Sequence, residues 1–200
     1  MENLFLALWR NLIEFDLPRE DHIKPLCLFP FAEKDLFEWI TALKGIHNVE
    51  VHLIGDGRNR ERVRQQLEGI PATFYGIIPH ENLPALLAQM DLGFIFRKPG
   101  IDQSIPVCIF EYTSMKIPSL CNNTGIMAEF VQDKGIGYVL NDENDCTATI
   151  VQILKQPSEL KRFEALHGLA ERDFSLRASR EKFAELFNPY EKNLPRPKSA

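Results

Sequence analysis

The chain has 200 residues, 44% of them apolar, and a formal net charge of −5. That length supports one domain with a real core but not two ordinary ones, and the acidic balance argues against a nucleic-acid partner held through phosphate contacts. Cys27, Cys108, Cys121 and Cys146 show no CxxC pair and no histidine at ligand spacing, so neither a disulfide framework nor a zinc site is indicated, and buried free thiols in a reducing compartment are expected.

The opening MENLFLALWRNLIEF is apolar but lacks the basic start of a signal peptide, and Arg10 and Asn11 interrupt it before it could span a bilayer. It reads as a helix packed on the domain or on a neighbour, with an amphipathic helix on a membrane surface as the alternative. From residue 24 onward strands and helices alternate. Residues 24–31 (KPLCLFPF) are a short apolar run, and 35–43 show helical spacing in Leu36, Trp39, Ile40 and Leu43. Residues 49–54 read as a strand, followed by a Gly55-Asp56-Gly57 turn and a helix over 60–67. Arg58, Arg60, Arg62 and Arg64 alternate there with Glu61 and Glu68 interleaved, which predicts a solvated helix face.

Further on, 72–75 is a strand ending at Gly76, 81–90 a helix, 92–96 a strand and 107–115 a helix. Residues 118–121 are a short strand, 126–132 a helix and 137–140 the last strand, with late helices over 145–155, 158–173 and 177–187. The tail 188–200, rich in proline and lysine, is expected to be frayed. Strands separated by helices of this length predict a doubly wound parallel α/β sheet, Rossmann-like, with near-continuous apolar strands such as LGFIF buried on both faces. Such a sheet binds ligands beyond the carboxyl ends of its strands, in the loops after Phe31, Ile54, Gly76 and Phe96.

Three motifs fall in those loops. The Gly55-Asp56-Gly57 turn lacks the third glycine of a dinucleotide fingerprint, Arg60 standing in its place, and it lacks a P-loop ending, so a tight turn is at least as good a reading as ligand contact. Helix-entry polarity accounts for His80. The segment IDQSIPVCIFEYTSMKIP weighs most. Pro106 suits a first helical turn, Ser104 an N-cap, and the amides of Ser104, Ile105 and Val107 then face outward as an anion site. No Asp-x-Asp metal motif appears, and 141–145 (NDEND) reads as a turn.

The succession LIGDG, ATFYGIIP, helix, LGFIF, then IDQSIPVCIFEYTSMKIP and the closing ERDFSLRASREKFAELFNPY, resembles the donor-binding C-terminal domain of GT-B glycosyltransferases, particularly family 4, over about residues 24–190. The resemblance implies that Glu111, the second acid of an E-x7-E pattern, accepts hydrogen bonds from ribose hydroxyls. It places the base against Ile77 and Ile78, the diphosphate against the 104–107 amides and Lys34, and the sugar against Asp102 or Gln103. Gly55 and Arg97 complete the expected donor site, with no metal. The chain departs from the pattern at Gln103, where the first acid is expected, and at Cys108, where related sequences carry lysine. It departs again at Phe29-Pro30-Phe31, which replaces a glycine-arginine pair; Arg97 and Lys98 are candidates for the missing charge.

The implied activity is retaining, metal-independent transfer of a sugar from a UDP- or GDP-linked donor to a glycan or lipid-linked acceptor, without a cofactor. A non-catalytic nucleotide-binding or protein-interaction module of the same fold is the alternative. The organisation expected is an N-terminal helical segment (1–16), the donor-binding domain (17–173), and a closing helix with a flexible tail (174–200). The acceptor-binding domain must then come from a longer enzyme or a partner chain. A cytoplasmic location is expected, with the inner face of the membrane as an alternative.

Overall fold

The computed structural model describes residues 25–28, 39, 41–57, 59–97 and 104–191. Its strands are β1 (Pro25–Leu28), β2 (Val51–Ile54), β3 (Ala72–Gly76), β4 (Leu92–Ile95), β5 (Ser119–Asn122) and β6 (Gly137–Leu140). They form one six-stranded sheet in the order β3-β2-β1-β4-β5-β6, and every pairing is parallel. The chain therefore works outward from β1 to β3, returns to the centre at β4, and works outward again to β6. The order reverses between β1 and β4, and at such a point neighbouring loops diverge to opposite faces and open a crevice at the strands' carboxyl ends.

The helices are α1 (Arg60–Gln66), α2 (Leu83–Leu87), α3 (Val107–Ser114), α4 (Gly125–Lys134), α5 (Glu143–Lys155), α6 (Leu166–Asp173) and α7 (Leu176–Glu191). All four residues of β2, β4 and β5 are buried, as expected for strands covered on both faces, while the edge strands β3 and β6 are mostly half-buried. The α/β class and the parallel sheet read from the sequence are thus observed.

Some boundaries differ, each for a local reason. The helix expected over 81–90 divides into a single 3-10 turn, His80–Asn82, and the short α2, with Pro84 in the first turn of α2. The helix expected over 158–173 likewise divides into a 3-10 stretch, Pro157–Phe163, and α6. The closing helix runs on to Glu191, through a stretch read as frayed tail. Ser104 does not cap α3. The cap position is Pro106, extended at φ −64° and ψ 141°, and no side chain caps that end. The acidic 141–145 stretch, read as a turn, is instead a helix start, because Asp142 accepts from the Asn144 and Asp145 amides at 2.8 and 3.0 Å and caps α5 from Glu143 onward.

Two contacts hold α3 against the sheet. The Tyr112 ring, fully buried, lies so close over β4 that a Cβ on Gly93 would fall inside it. On the outer side Phe110 meets Phe174 edge-on with centroids 5.0 Å apart, and Phe130 of α4 joins them at 6.0 and 5.7 Å. Phe174 stands at the bend between α6 and α7, where the Ser175 hydroxyl accepts from the Ala178 amide at 3.1 Å.

Candidate functional site

The start of α3 lies beyond the carboxyl end of β4, at the place where the strand order reverses. Its first turn leaves amides without helical partners, and its dipole places partial positive charge there. Ile109 N–H already donates to the Pro106 carbonyl at 3.1 Å, so the amides available to an anion lie N-terminal to it. Ser104 and Val107 are exposed, Ile105 is half-buried against the core, and Pro106 is buried and anchors the turn.

Glu111 follows one turn into α3, between the buried Ile109 and Tyr112. Its carboxylate is only 15% exposed, and His80 Nε2 approaches Oε1 at 3.3 Å. The pair makes a hydrogen bond in the tautomer that carries its hydrogen on Nε2, with the carboxylate oxygen accepting. Cys108 lies beside the carboxylate. Burial, and secondarily the Glu111 charge, push its thiol up to about 12, against a lowering pull from Arg97. Cys108 thus feels the charges of both Glu111 and Arg97, and His80 touches Glu111.

The loop after β4 is fixed at its root. Arg97 N–H donates to Asn122 Oδ1 at 2.9 Å, and Asn122 Nδ2 donates to the Arg97 carbonyl at 2.7 Å. Asn122 is buried at the end of β5, so this two-point clamp sets where Arg97 leaves the sheet. Replacing it by alanine strands two backbone groups and is expected to lower stability by about 2 kcal/mol, read from the urea midpoint. Phe96, just beyond β4, is stacked on by Trp39 with ring centroids 4.4 Å apart and planes 10° off parallel.

The other expected residues are distributed unevenly. The Gly55 amide donates to the Gly76 carbonyl at 2.8 Å, and its φ of +118° belongs to a tight turn, so that N–H is not offered to a ligand. Ile78 packs against the core while Ile77 stands 83% exposed. Lys34, Lys98, Asp102 and Gln103 lie outside the described residues. The contact of His80 with Glu111 has no signal in the sequence, since 31 residues and two secondary-structure elements separate the pair.

Three of the four cysteines have described side chains; that of Cys27 lies outside them. Cys121 and Cys146 are buried and free, Cys108 is half-buried and free. Among the described residues no group of three or more His, Cys, Asp or Glu side chains could hold a metal ion, and no helix is long and apolar enough to cross a membrane. Arg60 pairs with Asp56 at 3.7 Å and Arg64 with Glu61 at 3.9 Å, both largely exposed, in keeping with a solvated face on α1.

A doubly wound parallel sheet with an anion-suited helix start and a recessed carboxylate at its switch point is the architecture of the GT-B glycosyltransferase domain. Residues 31–156 match the family model for glycosyl transferases group 1, and the chain belongs to that family. Among solved structures it is similar to sucrose-phosphate synthase from Thermosynechococcus elongatus (TM-score 0.73, 19% identity, 96% of this chain and 51% of that one). It is also similar to HepE from Anabaena in complex with UDP (TM-score 0.71, 14% identity, 84% of this chain and 49% of that one). A curated relative, sulfoquinovosyl transferase SQD2 of Arabidopsis thaliana, is 23% identical over 128 residues, covering 62% of this chain and 24% of the plant protein. The chain therefore spans about half the length of these solved relatives and a quarter of the curated one.

Proposed function

We propose that this chain is the donor-binding half of a glycosyltransferase that transfers a sugar from a nucleoside-diphosphate sugar to a glycan or lipid-linked acceptor. The observation that carries the reading is Glu111: a recessed carboxylate, 15% exposed, one turn inside the helix that opens at the switch point. A carboxylate so placed can accept from both hydroxyls of a ribose while the amides before Ile109 face the diphosphate. Structures similar to this chain have been determined with UDP and with UDP-glucose, which supports a uridine nucleotide as the first ligand to try. In this reading Arg97 and Lys34 supply charge to the diphosphate, and Asp102 or Gln103 meets the sugar. No metal or other cofactor takes part. The acceptor meets the donor across a cleft formed with a second half, and the exposed Phe183 and Leu186 of α7 mark the side from which that half would approach. The domain division 1–16, 17–173 and 174–200 belongs to the same proposal, as does a cytoplasmic setting with peripheral membrane association as an alternative.

Calorimetric titration of UDP, GDP and their glucose conjugates into the chain tests the proposal. A diphosphate is expected to bind, and Glu111→Ala to weaken it by roughly tenfold to a hundredfold, the worth of a charge-assisted hydrogen-bond pair. Absence of binding by any of these nucleotides overturns the donor-site reading in favour of an interaction module. One observation favours a narrower second reading, binding without transfer: the thiol of Cys108, protonated at neutral pH, stands where a lysine charge is expected. Release of UDP from UDP-glucose by the chain joined to its acceptor-binding half separates the two.

A further inference from the structure

His80 holds no role in the site as read from the family resemblance, yet it makes the one direct polar contact that the structure gives the Glu111 carboxylate among the described residues. Its own position is well determined. After β3 the chain turns through Gly76 at φ +68°, passes through the extended Pro79, and enters the 3-10 turn that begins at His80. Leu83, Pro84 and Leu87, all buried, pin the following helix to the core, so the imidazole is presented from a fixed base although its side chain is 65% exposed.

We propose that His80 is a positioning residue for Glu111, holding Oε1 so that the rest of the carboxylate is aimed at the ribose diol. The inference rests on the donor-site reading above. A glutamate at the fifth position of a helix has several rotamers, and recessed burial alone does not choose which oxygen faces outward. A donor on Oε1 does choose. An ionised carboxylate has about four lone-pair sites, so one bond to Nε2–H leaves both oxygens able to accept from neighbouring hydroxyls. The separation of 3.3 Å is at the long end for such a bond. His80 thus acts through Glu111 and needs no contact of its own with the nucleotide.

The test is ribose discrimination. Affinities for UDP and for 2′,3′-dideoxy-UDP are measured calorimetrically on the full chain and on Glu111→Ala, His80→Ala and His80→Gln, with the GDP pair in parallel. The wild type is expected to prefer the ribose form by about tenfold or more, and Glu111→Ala to bring the ratio near one. His80→Ala should reduce the ratio by at least about threefold, and His80→Gln, whose amide N–H reaches about as far as Nε2–H, should restore most of it. A wild-type ratio retained in His80→Ala while Glu111→Ala loses it overturns the role of His80 alone. An equal fall in affinity for both nucleotides does the same, because it marks a general effect on the loop. No nucleotide binding, or a ratio indifferent to Glu111→Ala, overturns the donor-site reading and this inference with it. The exposure of the imidazole means that unfolding is not expected to confuse the result, and matching urea midpoints verify it.

Discussion

Valine at position 93 is expected to lower the stability of the chain by about 3 kcal/mol or more, which is a large share of the roughly 5–15 kcal/mol that holds a domain of this size. Gly93 lies in the central strand β4, hydrogen-bonded on both sides, and the ring of Tyr112 occupies the place where its side chain would stand. Tyr112 has no exposed surface, so relief requires the ring, and α3 with it, to shift away from the sheet. Glu111 is the next residue on that helix. A milder substitution, Gly93→Ala, should therefore leave a folded protein in which, on the proposed donor-site reading, any affinity for UDP is weakened because the Glu111 carboxylate is displaced with the helix. The measurements are urea unfolding for Gly93→Ala and Gly93→Val, and a cycle with Tyr112→Ala. Removing the ring should recover much of the loss, giving a coupling of about 1–3 kcal/mol between two positions in direct contact. Additive effects would mean that the ring is not what forbids a side chain at 93.

This coupling of packing to site explains which parts of the molecule could be read from the sequence. The strands were legible because β2, β4 and β5 are covered on both faces, so their sequences are short apolar runs bounded by turns. Their alternation with helices then leaves a parallel sheet as the simplest arrangement, and the observed order places its switch point between β1 and β4, the strand that precedes α3. The helix ends were less legible. Pro84 permits a helix start but does not reveal that a 3-10 turn precedes it, and Pro189 lies within α7 where proline was taken as a sign of tail. Backbone partners decide such matters, and a local pattern does not display them.

The site was legible in proportion to how local it is. Glu111, its helix and the buried Pro106 share one segment, whose helix is legible from local pattern while Glu111 is singled out by the family resemblance. The Gly55 turn was readable as a turn, but that its amide is taken by the Gly76 carbonyl depends on β2 and β3 being neighbours. The contact of His80 with Glu111 and the clamp of Asn122 on Arg97 join segments 31 and 25 residues apart. Neither residue type is unusual where it stands, so only the three-dimensional arrangement reveals what it touches.

Raising the pH above 9 is expected to destabilise the chain steeply, through its buried thiols. Burial pushes Cys121 and Cys146 up to about 12, with the Glu143 charge adding to the effect on Cys146, against an ordinary 9.0 in the unfolded chain. The folded form therefore keeps two protons that the unfolded form releases between those values. Stability depends on pH through that difference, so it is unaffected below about pH 9 and falls as the pH rises from there toward 12. Two groups give a slope of about 2.7 kcal/mol per pH unit, and roughly 5 kcal/mol is lost between pH 9 and 11. Cys108 adds less than its value of about 12 suggests, because it is half-buried and its thiolate would keep some contact with water. The hydroxyls of Tyr75 and Tyr138 are also raised, burial being the larger cause in each, and steepen the decline above pH 10. Urea midpoints followed from pH 8 to 11 should show the fall. The double substitution Cys121→Ala and Cys146→Ala should lower the midpoint at pH 8, through the space left behind, yet flatten the decline above pH 9. An unchanged slope would assign the alkaline limb to other groups and would mean that water reaches these two thiols in the folded protein.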